Sequence, residues 1–66
     1  MSWTDEILRV LSDGPHTISE IRTELGGVSK GMISTRLQRL RKWGRVEEAG
    51  YTDYLGGGIE KLWRRT

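Results

Sequence analysis

Along this chain the apolar positions form three stripes of helical period and then change to a shorter repeat. Over residues 4–11, Ile7, Val10 and Leu11 recur at i, i+3 and i+4, and Leu8 widens the stripe. Thr4 or Ser2 is placed to cap this helix, and Asp5 and Glu6 lie in its first turn, where the helix dipole favours negative charge. Ser12-Asp13-Gly14-Pro15 stops it. A second helix is expected to begin at Thr17, because Thr17 and Glu20 form the T-x-x-E arrangement of a capping box. Ile18, Ile21 and Leu25 mark its inner face, and Gly26-Gly27 ends it with residues that tolerate positive φ. Ser29 is the cap expected for a third helix over 30–43, whose Ile33, Leu37 and Leu40 share one stripe. Gly44 supplies its stop.

Beyond Gly44 the pattern becomes that of strands. Residues 45–49 and 59–65 are expected strands, separated by the long tip GYTDYLGGG, and His16 and Thr17 are candidates for a short third strand. Three helices followed by a C-terminal β-hairpin make an α+β domain, a helix-turn-helix with a wing, expected to occupy the whole of 1–66 as one unit. At this length the core is small. Trp63 on the last strand is therefore expected to complete it, whereas Trp3 and Trp43 are candidates for a partner surface.

Net charge is only +2, but its distribution changes the picture. Residues 1–28 carry five acidic side chains against two basic, a net −3, and residues 29–66 carry nine basic against four acidic, a net +5. Six of those cations and no acid lie within 29–45. Such a helix is either a solvated face or a surface for a polyanion, and its place as third helix of a helix-turn-helix favours the polyanion. Taking 100° per residue, Gly31, Ser34, Thr35, Gln38, Arg39 and Lys42 point away from the apolar stripe.

Other chemistries find little support. There is no cysteine, hence no disulfide or thiolate metal site, and the single His16 does not assemble a zinc site by itself. Ser12, Asp13 and Ser19 near His16 lack the pocket a hydrolytic triad needs in so short a chain. Gly56-Gly57-Gly58 has no preceding strand and following Lys-Ser/Thr helix start, so it reads as a flexible hairpin tip, not a phosphate loop. No catalytic residue, cofactor or metal is expected. The opening MSWTDEILRV has no signal-peptide pattern and no apolar run approaches a membrane span, so a cytoplasmic protein without membrane contact is expected.

In residues 29–46, Ile33-Ser34, Leu37, Leu40, Gly44 and Val46 resemble the apolar-Ser…Leu…Leu…Gly-x-Val pattern of winged-helix DNA-binding regulators, particularly minimal prokaryotic and archaeal modules of the ArsR and MarR kind. The resemblance implies a recognition helix in the major groove of double-stranded DNA and a role in transcriptional regulation. By position it implies that Lys30, Gly31, Ser34, Thr35, Gln38 and Arg39 face the groove, Gln38 suiting adenine and Arg39 guanine or phosphate, with Ser29 among the DNA-binding residues. Arg41, Lys42 and Arg45 are expected on the DNA backbone. Wing tips of such regulators often carry Arg or Lys, whereas Tyr51, Thr52, Asp53, Tyr54 and Leu55 offer no cation, so the helix is expected to carry more of the contact.

KWGRVEEAG…LWRRT is also similar to the end of the Z-DNA-binding winged-helix domains. Their helix asparagine and tyrosine are matched here by Ser34 and Gln38, and the wing has no proline. That likeness therefore implies the fold and not left-handed DNA. Larger family members build a dimer from further helices; a homodimer of this chain is expected to use the first helix, the tryptophans or the wing. A protein–protein interaction module and a non-specific nucleic-acid coat are the competing uses of the fold.

Overall fold

The computed structural model describes residues 3–54 and 58–66. Helix α1 spans Trp3–Leu11, strand β1 His16–Thr17, helix α2 Ile18–Glu24, helix α3 Lys30–Lys42, strand β2 Val46–Tyr54 and strand β3 Gly58–Arg65. The three strands form one antiparallel sheet in the order β1-β3-β2. This is the winged helix-turn-helix architecture expected of the pattern, including the short strand at His16 and Thr17.

Local sequence explains most boundaries. Thr17 caps α2 as expected: its hydroxyl accepts from the Glu20 amide at 3.1 Å, and the Glu20 carboxylate accepts from the Thr17 amide at 2.9 Å. Ser29 caps α3 by accepting from the Met32 amide at 3.1 Å. At the far end Gly44 takes φ 73°, donates to Arg41, and is followed by Arg45 donating to Leu40 at 2.8 Å. These two bonds are the Schellman closure, in which the left-handed residue is normally glycine. Of the two caps expected for α1, Thr4 is ruled out because the helix already includes Trp3 and Thr4 lies inside its first turn, and Ser2 falls outside the described residues.

The hairpin also differs from expectation. Strand β2 continues to Tyr54, so Tyr51, Thr52, Asp53 and Tyr54 lie on the ladder and not in a loose tip. Glu48 pairs with Trp63 and Tyr51 pairs with Lys61, which sets Ala49 and Gly50 together against Leu62. Two residues against one is a β-bulge, and Gly50 supplies its φ of 101°. The bulge breaks strand alternation, which is why the sequence reads there as a loop. Of the expected triple-glycine tip, Gly58 opens β3, while Gly56 and Gly57 lie outside the described residues.

Stripes from all three helices meet over the sheet. Ile7 and Leu11 of α1, Ile21 of α2, and Ile33, Leu37 and Leu40 of α3 are buried, with Val46 and Trp63 closing the core from the strands. Ile18, Leu25 and Val28 pack around its edge. Thr17 is the buried polar residue among the described residues, its hydroxyl engaged at the α2 cap. The core thus fixes which face of α3 points outward.

Candidate nucleic-acid interface

Helix α3 is 13 residues long, about 20 Å at the usual rise. Burial of Ile33, Leu37 and Leu40 leaves Lys30, Gly31, Thr35, Gln38, Arg39 and Lys42 exposed and Ser34 half-buried. The outward face read from periodicity is therefore the outward face of the fold. Its first turn holds no acid, so the positive end of the helix dipole is offset by no side chain of that turn.

Individual positions differ in what they can offer. The Thr35 hydroxyl donates to the Gly31 carbonyl at 2.9 Å, which leaves its oxygen free to accept. Gly31 sits in the first turn of α3 with no heavy atom within 4 Å of where a Cβ would stand. Nothing inside the protein requires glycine there, although glycine weakens a helix. Its effect is to lower the helix surface at the end that carries Ser29 and Lys30.

Arg39 and Lys42 make no ion pair among the described residues, and Arg45 likewise exposes an unpaired side chain. Arg41 is different: its guanidinium lies 4.0 Å from the Glu48 carboxylate of β2. The Glu48 carboxylate is also held by Lys61 of β3, a hydrogen bond that lowers its pKa despite opposing desolvation, with the charges of Lys61 and Arg41 acting in the same direction. Lys61 in turn places its ammonium 5.5 Å from the centre of the Trp63 ring. Among the described residues beyond the bulge, Lys61 is the wing's cation, and it is engaged.

Farther out on β3, Glu60 meets the start of α2. The Ser19 hydroxyl donates to its carboxylate at 2.6 Å and the Ser19 amide approaches it at 3.4 Å. The Ser19 hydroxyl holds the Glu60 carboxyl below its ordinary value against the opposing effect of burial, with smaller contributions from the Ser19 amide, the Lys30 charge and the Thr17 hydroxyl. This link joins residues 41 positions apart, so no local signal announces it. Arg22, whose guanidinium Nε donates to the Val28 carbonyl at 3.1 Å, is a further exposed cation beside the α2–α3 turn that sequence reasoning passed over.

The family model for HxlR-like helix-turn-helix proteins matches residues 1–54, which contain every helix and the first wing strand. The chain belongs to the HxlR-like helix-turn-helix family. Two solved structures of the transcriptional regulator YodB from B. subtilis, in reduced and diamide-treated forms, are 26% identical to this HxlR-like chain with a TM-score of 0.79. They cover 100% of this chain, which spans 62% of the length of YodB. A structure described as the DNA recognition and protein interaction domains of HOP2 covers 98% of the chain and 100% of its own, at 20% identity and a TM-score of 0.74, a likeness of fold alone. No curated protein sequence matches the chain.

No helix among the described residues is long and apolar enough to cross a membrane. No group of three or more His, Cys, Asp or Glu side chains among them could hold a metal ion.

Proposed function

We propose that residues 1–66 form one winged-helix unit that binds double-stranded DNA sequence-specifically, with α3 in the major groove, as part of a transcriptional regulator. The observation that carries this reading is the outward face of α3: an acid-free first turn, an internally unneeded Gly31, and exposed Gln38, Arg39 and Lys42 beside Ser34 and Thr35. In the docking this face suits, Ser29, Lys30 and Gly31 approach the backbone at the positive helix end, and Ser34, Thr35, Gln38 and Arg39 meet base edges. Arg41, Lys42 and Arg45 lie toward the other end of the helix, where they neutralise phosphates.

The architecture is that of minimal ArsR- and MarR-kind modules, and we place its regulatory use in the cytoplasm. YodB is described as a transcriptional regulator, in one form diamide-treated. None of the 66 residues here is a cysteine, so no thiol chemistry acts on this segment. Nothing in the proposed docking involves catalysis or a cofactor. A homodimer is supported by Trp3 and Trp43, which stay 42% and 63% exposed while Trp63 is buried. Sedimentation with and without duplex DNA tests it: a monomer in both states overturns the dimer.

The test of base reading is selection of preferred duplexes followed by Gln38→Ala with Arg39→Ala. Preference should relax in that pair, whereas Lys42→Ala should weaken all sequences alike. Unchanged preference in the first pair would show that another face reads the bases.

A further inference from the structure

Lys30 and Arg41 stand eleven positions apart on α3, within about 20° of three full turns, and so share one flank of the helix. That flank faces the wing, because Arg41 lies 4.0 Å from Glu48 of β2. One wing carboxylate, Glu48, meets this flank directly, the charge of Lys30 acts on a second, Glu60, and both carboxylates are held by other groups. Lys61 grips Glu48, and the Ser19 hydroxyl donates to Glu60 at 2.6 Å. Pairing with a pre-placed carboxylate costs side-chain freedom on one partner only, which removes part of what makes exposed ion pairs weak. The Lys30 charge is among the causes that lower the Glu60 pKa, behind the Ser19 hydroxyl and amide. Arg39 and Lys42, on other faces of the helix, have no such partner among the described residues.

We infer that the wing acts on the recognition helix as a counter-charge: Glu48 and Glu60 offset Arg41 and Lys30, and these two carboxylates are specificity-determining residues for DNA. The inference rests on the DNA-binding reading. Loose, sequence-independent binding is driven almost entirely by cations that release counterions from phosphates. With two cations of α3 offset internally, random DNA meets a weaker surface. In a fitted complex the phosphates are held close by the base contacts, and Lys30 and Arg41 transfer from the carboxylates to them. The wing thereby contributes to discrimination without touching DNA.

The test is binding of E48Q, E60Q and the double variant to a random duplex and to a selected duplex across a salt series. Glutamine keeps the size of each side chain and an acceptor for Ser19 and Lys61. Each substitution should tighten random-DNA binding about two- to fivefold and steepen its log–log salt slope by roughly 0.9, with a smaller gain on the selected duplex. Because Glu48 also pairs with Lys61, the comparison is made with K61A present throughout, and there the gain should vanish when K30A and R41A are added, which separates local pairing from a change in net charge. Thermal melting of each variant separates both from lost structure. Unchanged affinity and slope in E48Q/E60Q, or a gain that persists in the K30A/R41A/K61A background, overturns the inference while leaving the DNA-binding reading intact. Failure of the unsubstituted protein to bind either duplex at low salt overturns both.

Discussion

Two glycines, one inside α3 and one just past its end, separate stability from function. Gly31 lies within the first turn of α3 at an ordinary helical φ, and an added Cβ meets no heavy atom within 4 Å. Gly31→Ala therefore introduces no clash and removes the backbone-entropy cost of glycine, a gain of about 0.5–1 kcal/mol. For 66 residues the unfolding entropy near the midpoint is about 0.14 kcal/mol/K, so Tm should rise by roughly 4–7 °C. Gly44 has equally open space, but its φ of 73° belongs to the Schellman closure. Gly44→Ala should therefore lower stability by about 1–2 kcal/mol through backbone strain alone.

The assay is a thermal melt followed by circular dichroism, paired with fluorescence anisotropy on a labelled duplex. If Gly31 exists to let DNA approach closely, the stabilised Gly31→Ala protein binds more weakly. A variant with raised Tm and undiminished affinity would refute the argument that the ligand, not the fold, requires glycine at that position. A lowered Tm would refute the packing account itself.

Other consequences follow from the same contacts. Thr17→Val keeps the shape of a buried side chain but leaves the Glu20 amide without its cap, so stability should fall by about 1–2 kcal/mol. Thr17→Ser, which loses only a methyl group, should cost about 1 kcal/mol, and urea denaturation showing Thr17→Val unimpaired would dismiss the capping account. The Glu48 and Glu60 carboxyls both have lowered pKa values in the folded chain. Their stabilisation is present above the ordinary value of 4.5 and is lost as pH falls through the lowered values. Tm should accordingly change little from neutral pH down to that value and decline below it, less steeply in Glu60→Gln. A Glu60→Gln profile superimposable on the original would show that Glu60 contributes nothing to acid lability.

Local chemistry made most of this fold legible in the sequence. The T-x-x-E box at Thr17, the Ser29 cap and the glycine after Trp43 each satisfy helix-end groups within a few residues, and so each leaves a short pattern. The stripe of Ile33, Leu37 and Leu40 then fixed the outward face of α3 without reference to anything distant. What failed to show was non-local or aperiodic. The bulge at Ala49 and Gly50 shifts strand register by one residue, which disguises the outer ladder as a loop. The pairing of Glu60 with Ser19 and of Glu48 with Lys61 and Arg41 depends on how the hairpin folds back on the helices. Charge counting therefore treated all six cations of 29–45 as equivalent, whereas the fold gives Arg41 a carboxylate neighbour and leaves Arg39, Lys42 and Arg45 unpaired among the described residues.

The account stands most directly on equilibrium binding of the protein to selected and random duplex DNA as salt is varied. With about five phosphates neutralised, log K should fall against log salt with a slope near −4 to −5, and the selected duplex should stay tighter throughout. Equal affinity for every sequence would contradict sequence-specific recognition by α3, and no binding at low salt would contradict DNA binding altogether.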